Sequence, residues 1–96
     1  MAGRLEGKVA AITGAASGFG AGATRRFIEE GGKVVMGDIQ DDAGQALADE
    51  LGDAALYVHC DVTKEDEVAN MVDTAVAHYG QLDIMYNNAG VVGAVG

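Results

Sequence analysis

Cysteine, basic residues and long apolar runs are scarce in this chain, and each scarcity closes off a class of function. Cys60 is the only cysteine among 96 residues, so no intrachain disulfide and no cysteine-based metal site can be assembled. Six Lys and Arg stand against fifteen Asp and Glu, a formal net charge of −9. Such a chain repels polyanions and has little electrostatic support for a nucleic-acid partner. No apolar run approaches the ~18 residues of a membrane span, which excludes a membrane protein. The start, Met1 to Lys8, has no apolar core between a basic region and a cleavage site, and cytoplasmic residence is the default expectation. Proline is absent and no low-complexity linker marks a boundary. The chain reads as one domain with a modest core, because a domain this short buries only roughly 60–65% of the surface its unfolded chain exposes.

What is present is patterned. Hydrophobic residues make up 49% and charged residues 22%, ordinary values for a soluble globular protein. Lys8 to Thr13 is a run of Val, Ala and Ile with no polar alternation, the pattern of a fully buried strand. From Gly18 to Glu30, Phe19, Ala23 and Phe27 recur at a spacing of four, which predicts one helical face, and Gly31-Gly32 supplies the stop. A second apolar run from Lys33 to Met36 closes at Gly37-Asp38. A helix from about Asp41 to Leu51 follows, with Asp41 and Asp42 at the positive end of its dipole. A third run, Ala54 to Cys60, ends at Asp61. A third helix, from about Lys64 to Tyr79, has Thr63 as N-cap with Asp66 three residues on, and carries Val68, Met71, Val72, Ala75, Val76 and Tyr79 as one buried stripe. A fourth run, Leu82 to Tyr86, leads into Asn87-Asn88-Ala89-Gly90. Strands alternating with helices at this spacing are βαβ units, which predicts an open α/β fold with a parallel sheet and helices on both faces.

Chemistry concentrates where strands end. Gly14, Gly18 and Gly20 lie between a buried strand and a helix, where positions without side chains allow a tight turn and let backbone N–H groups approach a pyrophosphate. Their spacing, G-x-x-x-G-x-G, differs from the general dinucleotide fingerprint. Asp38 ends the second strand 18 residues after Gly20, close to the ~20-residue offset at which an acid accepts hydrogen bonds from ribose hydroxyls. A carboxylate there repels a 2′-phosphate, which favours NAD over NADP. Asp61 suits either an adenine amino group, with the Val62 backbone lining the same pocket, or capping of the next helix. Asn-Asn-Ala-Gly alone is an ordinary turn. His59 and His78 have no acid partner at a useful spacing and read as structural; Cys60 reads as a buried small hydrophobe.

Together these features resemble the NAD-preferring members of the short-chain dehydrogenase/reductase family, whose Thr-Gly-x-x-x-Gly-x-Gly turn is matched by Thr13 to Gly20. The resemblance extends through Asp38, Asp61-Val62 and Asn87 to Gly90, and it spans essentially the whole chain. It implies a partial Rossmann fold with strand order 3-2-1-4, residues 1–96 being the N-terminal part of the dinucleotide-binding domain. It implies that Gly14, Ser17, Gly18, Phe19 and Gly20 cradle the pyrophosphate and adjacent ribose. Asp38 would hold the adenosine ribose, Ile39 beside it would belong to the cofactor-binding set, and Asp61 and Val62 would contact adenine. Asn88, Ala89 and Gly90 would border the nicotinamide-side ribose, with Asn87 bracing the central strand. Phe19 departs from the family's usual Ile or Leu, and Gly22 inside the helix costs about 1 kcal/mol relative to Ala. The implied activity is hydride transfer between NAD and a secondary alcohol or ketone. Family members do this with a Ser and a Tyr-x-x-x-Lys pair beyond the second Asn of the motif. None of Tyr57, Tyr79 and Tyr86 has a Lys four residues on, so the chain alone is expected to be inactive. Homo-oligomers are expected of the full-length enzyme. The alternative is a module that binds or senses NAD without catalysis.

Overall fold

A computed structural model describes residues 4–88. The chain runs β1 (Val9–Thr13), α1 (Gly18–Glu29), β2 (Lys33–Asp38), α2 (Asp41–Leu51), a single 3₁₀ turn over Gly52–Ala54, β3 (Ala55–His59), α3 (Glu65–Tyr79) and β4 (Ile84–Asn87). The sheet has the order β3-β2-β1-β4, every neighbouring pair parallel. This is the partial Rossmann arrangement expected, with α1 and α2 on one face and α3 on the other.

The two faces follow from the strand residues. Ala10, Ile12, Val34 and Met36 point to one side and pack with Phe27, Leu47 and Ala48 of α1 and α2. Val9, Ala11 and Val35 point to the other and pack with Met71 and Ala75 of α3 and with Cys60. Val34, Val35 and Met36 are fully buried because β2 lies inside the sheet with a helix layer on each side. That is why its sequence is continuously apolar and not alternating. Cys60 is buried as expected.

Five local expectations change. The buried face of α1 is Gly20, Thr24 and Phe27, with Ala23 partly buried against the same cluster, while Phe19 is 86% exposed. Gly20 sits so close to β1 that it sets the rotation of the helix, and Phe19, about 100° round the helix axis, is turned to solvent. In α3, Met71 and Ala75 form the seam with Val68 and Tyr79 beside them, while Val76 is exposed. Thr63 is not the cap of α3: Lys64 holds that position without a side-chain hydrogen bond. The third strand begins one residue later than its apolar run because the 3₁₀ turn absorbs Ala54. The fourth begins at Ile84, after Asp83 has exchanged bonds with β1: its N–H donates to the Val9 carbonyl and its carboxylate accepts from the Val9 N–H.

Candidate functional site

Parallel strands bring their carboxyl ends to one edge. The β1–β2 register pairs Thr13 with Gly37, the β2–β3 register pairs Asp38 with His59, and β4 places Asn87 opposite Thr13. The helices start from this edge, and the strand order departs outward from β1 in both directions, the place where open α/β sheets bind ligands.

The glycine turn is built by close approach. A Cβ on Gly20 would lie 1.9 Å from the Gly14 carbonyl oxygen, so only glycine lets the first turn of α1 rest on the end of β1. Gly18 has φ +57 with open space where its side chain would be, leaving backbone facing outward. Ser17 is the N-cap residue, extended and making no side-chain cap bond, and the first turn of α1 contains no acid. The contrast is with α2, whose first turn holds Asp41 and Asp42, and α3, which begins Glu65, Asp66, Glu67. In a chain with an excess of acids, the helix aimed at the glycine turn is the one whose positive end is left uncompensated.

Asp38 joins this turn to β2. It is 6% exposed; one carboxylate oxygen accepts from the Ala16 N–H at 3.0 Å, and the other accepts from the N–H groups of Ile39 at 2.7 Å and Gln40 at 3.0 Å. The Ala15 N–H donates to the Gly37 carbonyl. Asp38 is thus both the organiser of the turn and the acid at its edge. A carboxylate has about four acceptor positions, so these three bonds leave room for one more donor.

Gly14, Asp38, Ile39, Cys60, Asp61 and Val62 enclose a cavity of about 200 Å³, smaller than the roughly 300–1,000 Å³ that holds a whole drug-sized ligand and suited to a single ring system. Of the residues singled out in the sequence, Gly14, Asp38, Ile39, Asp61 and Val62 meet here. Ser17, Gly18, Phe19 and Gly20 form the neighbouring helix start. A larger cavity of about 610 Å³ lies between α2, β3 and His78, away from the strand ends and from these residues.

Asp61 does not cap α3. Its carboxylate accepts from the Thr63 N–H at 3.0 Å and from the Thr63 hydroxyl at 2.7 Å, bonds that hold its pKa below the usual range. The Thr63 hydroxyl is thereby spent on Asp61, which is why it caps nothing. On the other side, the Thr13 hydroxyl donates to Asn87 Oδ1 at 2.7 Å, the bracing of the central strand expected of Asn87. Asn88 reaches the Gly14 carbonyl only at 3.5 Å. Ala89 and Gly90 lie outside the described residues.

The sequence reading missed the partners of His59. Its Nδ1 is 2.8 Å from Asp41 Oδ1 and its Nε2 is 3.6 Å from Glu67 Oε1. Asp41 is 18 residues away in the chain, beyond any spacing rule. The usable signal was topological: the end of β3 and the start of α2 share one edge. His78 packs edge-on against Tyr79. Among the described residues no cluster of His, Cys, Asp and Glu is arranged to hold a metal, and no helix is long and apolar enough to cross a membrane.

Comparison with known proteins agrees with this geometry. A profile of the short chain dehydrogenase family matches residues 8–96. Tropinone reductase-like 2 of Erythroxylum coca is 67% identical over 89 residues, covering 93% of this chain and 32% of its own length. (+)-Borneol dehydrogenase 1 of Salvia officinalis is 55% identical over 89 residues, covering 93% of this chain and 34% of its own. Among solved structures, 3-ketoacyl-(acyl-carrier-protein) reductase from Brucella melitensis complexed with NADH superposes with a TM-score of 0.81 at 48% identity, over 84% of this chain and 33% of that one. The chain spans about a third of the length of these relatives.

Proposed function

The chain belongs to the short-chain dehydrogenase family, and from that premise we propose that it forms the NAD-binding part of an enzyme that moves hydride between NAD and a secondary alcohol or ketone. One observation carries the cofactor assignment: the glycine turn and the Asp38 carboxylate are hydrogen-bonded into a single unit beside a cavity sized for a single ring system. The first-turn N–H groups of α1, from Gly18 to Gly20, take the pyrophosphate, where the helix dipole favours negative charge. Asp38 accepts from an adenosine ribose hydroxyl, and Ile39, Asp61 and Val62 border the adenine. When bound, the nicotinamide supplies the hydride-accepting carbon; this chain's residues orient it and do no chemistry of their own. A name among the relatives, (+)-borneol dehydrogenase 1, supports an alcohol or ketone as substrate. No Tyr of the chain has a Lys four residues on, so turnover is assigned to the rest of the full-length enzyme, and so is dimer or tetramer formation. We place the protein in the cytoplasm.

The preference for NAD rests on charge. No Lys or Arg occurs between Lys33 and Lys64, so neither the Asp38-Ile39 wall nor the Asp61-Val62 wall supplies a lysine or arginine to a 2′-phosphate. Two like charges about 4 Å apart repel by roughly 1 to 4 kcal/mol between bulk water and a protein surface, about fivefold or more in affinity. Titration calorimetry with NAD and NADP tests this: NAD should saturate, with NADP at least about fivefold weaker, and Asp38→Asn should narrow the gap. Absence of saturable NAD binding, or an NADP preference, overturns the reading.

A further inference from the structure

His59 stands at the outer end of β3, an edge strand among the described residues, and its ring reaches both helix layers. Nδ1 meets Asp41, the first residue of α2, at 2.8 Å, and Nε2 faces Glu67, in the first turn of α3, at 3.6 Å. Each partner is one link from a wall of the cavity. Asp41 begins the helix that follows the Asp38-Ile39 turn. Glu67 Oε1 accepts the backbone N–H of Asp61 at 2.8 Å, which fixes the start of the Asp61-Val62 loop. Tyr57, on the same face of β3, donates its hydroxyl to the same Asp41 oxygen and lies 2.7 Å from the Asp38 carbonyl. The two walls therefore come from elements on opposite faces of the sheet, and His59 is the side chain that touches both.

We propose that His59 is a positioning residue for the adenine end of the cofactor, a clamp that ties α2 to α3 across the sheet edge and so sets the separation of the Asp38-Ile39 and Asp61-Val62 walls. The proposal rests on the NAD reading above. With one ring proton, on Nδ1, the imidazole holds Asp41 alone; with both nitrogens protonated it holds Asp41 and attracts Glu67 as well. The charged groups facing it are Asp41 from α2, Glu67 from α3 and Asp61 from the intervening loop, with the neutral Tyr57 phenol beside it on β3. The hydrogen bond to Asp41 raises the pKa of His59 above the ordinary histidine value by more than partial desolvation lowers it, and Glu67 and Asp61 add to the rise. The closed clamp therefore persists to higher pH than a free histidine would allow, and it loosens as pH climbs through that raised value.

The test measures dissociation constants for NAD and for uncharged adenosine from pH 6 to pH 9, by titration calorimetry and ligand-observed NMR. Both ligands should weaken about three- to fivefold as pH rises in the unaltered protein, the effect of losing a half-exposed ion pair. His59→Asn keeps a donor toward Asp41 but cannot charge, and should bind both with a flat pH profile at the weaker level. Glu67→Gln keeps the acceptor for the Asp61 N–H, removes the charge that His59 attracts, and should flatten the profile without unfolding the loop. The His59 ring resonance should titrate at higher pH with adenosine bound than without it. An identical pH profile in the unaltered protein and His59→Asn overturns the proposal. So does pH dependence for NAD but not adenosine, which would reduce His59 to a distant charge acting on the pyrophosphate. NAD binding that persists without any His59 effect leaves the cofactor reading standing, whereas no NAD binding at any pH removes both.

Discussion

Gly20 and Gly22 sit two positions apart on one helix and should respond to alanine in opposite directions. At Gly20 the new methyl would meet the Gly14 carbonyl oxygen at 1.9 Å, a backbone atom that cannot step aside, and overpacking of this kind costs about 3 kcal/mol. At Gly22 nothing lies within 4 Å of the added atom, and the site is an exposed helix interior, so alanine should stabilise by about 1 kcal/mol through helix propensity. Urea unfolding of the two variants checks both signs; a tolerated Gly20→Ala would mean that α1 does not rest on the end of β1. The glycine turn and Asp38 were legible in the sequence because they are local: Gly20 is needed by its contact with the Gly14 carbonyl, Gly14 and Gly18 by their positive φ, and the acid falls at a fixed offset on the next strand end. Phe19 was misread for the complementary reason. Its spacing from Ala23 and Phe27 fits a helical face, but the face is chosen by the Gly20 contact, which periodicity does not contain.

Among the elements, the helix starts carry the electrostatics. The first turns of α2 and α3 hold the acids that His59 bridges, and this arrangement gives folding stability a pH dependence whose sign can be worked out. His59 has a folded pKa above its unfolded value, mainly through Asp41. Its contribution is fully present below the unfolded value of about 6.5 and is lost as pH rises through the folded one. Asp41, lowered chiefly by the bond from Tyr57, and Asp61, lowered by Thr63, act in the opposite sense. Their contributions are present above the unfolded value of about 3.9 and fade as pH falls through their depressed folded values. Urea midpoints should therefore be highest between about pH 5 and 6.5 and decline toward pH 8.5, with His59→Asn removing the alkaline decline while leaving the acid limb. A midpoint that rises from pH 6 to pH 8.5 would contradict the assignment. The elements themselves were readable: α2 occupies the span from Asp41 to Leu51 that its first-turn acids mark, the βα alternation gives a parallel sheet, and the strand order is the one the family resemblance implies. The cluster on His59 was not, because it is assembled from the ends of three elements that meet only once the sheet exists.

For the whole molecule, the order β3-β2-β1-β4 leaves β4 at an edge among the described residues, as the family resemblance implies. Its residues are all exposed: Ile84 at 39%, Met85 at 41% and Tyr86 at 41%. The register pairs Ile84 and Tyr86 with Ala10 and Ile12 and pairs Met85 with Ala11, so the three side chains extend both faces of the core past the cover that α1 and α3 provide. An unpaired parallel edge flanked by apolar side chains on both faces is a template for association. The net charge of −9 opposes it only at short range, since charges separated by more than about 8 Å are screened at physiological salt. The 96-residue chain should accordingly self-associate with rising concentration, and more strongly with added salt. Met85→Lys places a charge on the edge without touching the glycine turn or Asp38, and should shift the protein toward monomer in sedimentation velocity while leaving NAD affinity unchanged. A chain that stays monomeric at high concentration and high salt would show that the β4 edge is already protected. Equal association in Met85→Lys would move the contact to another surface, with the exposed Phe19 at the start of α1 the next apolar group to test.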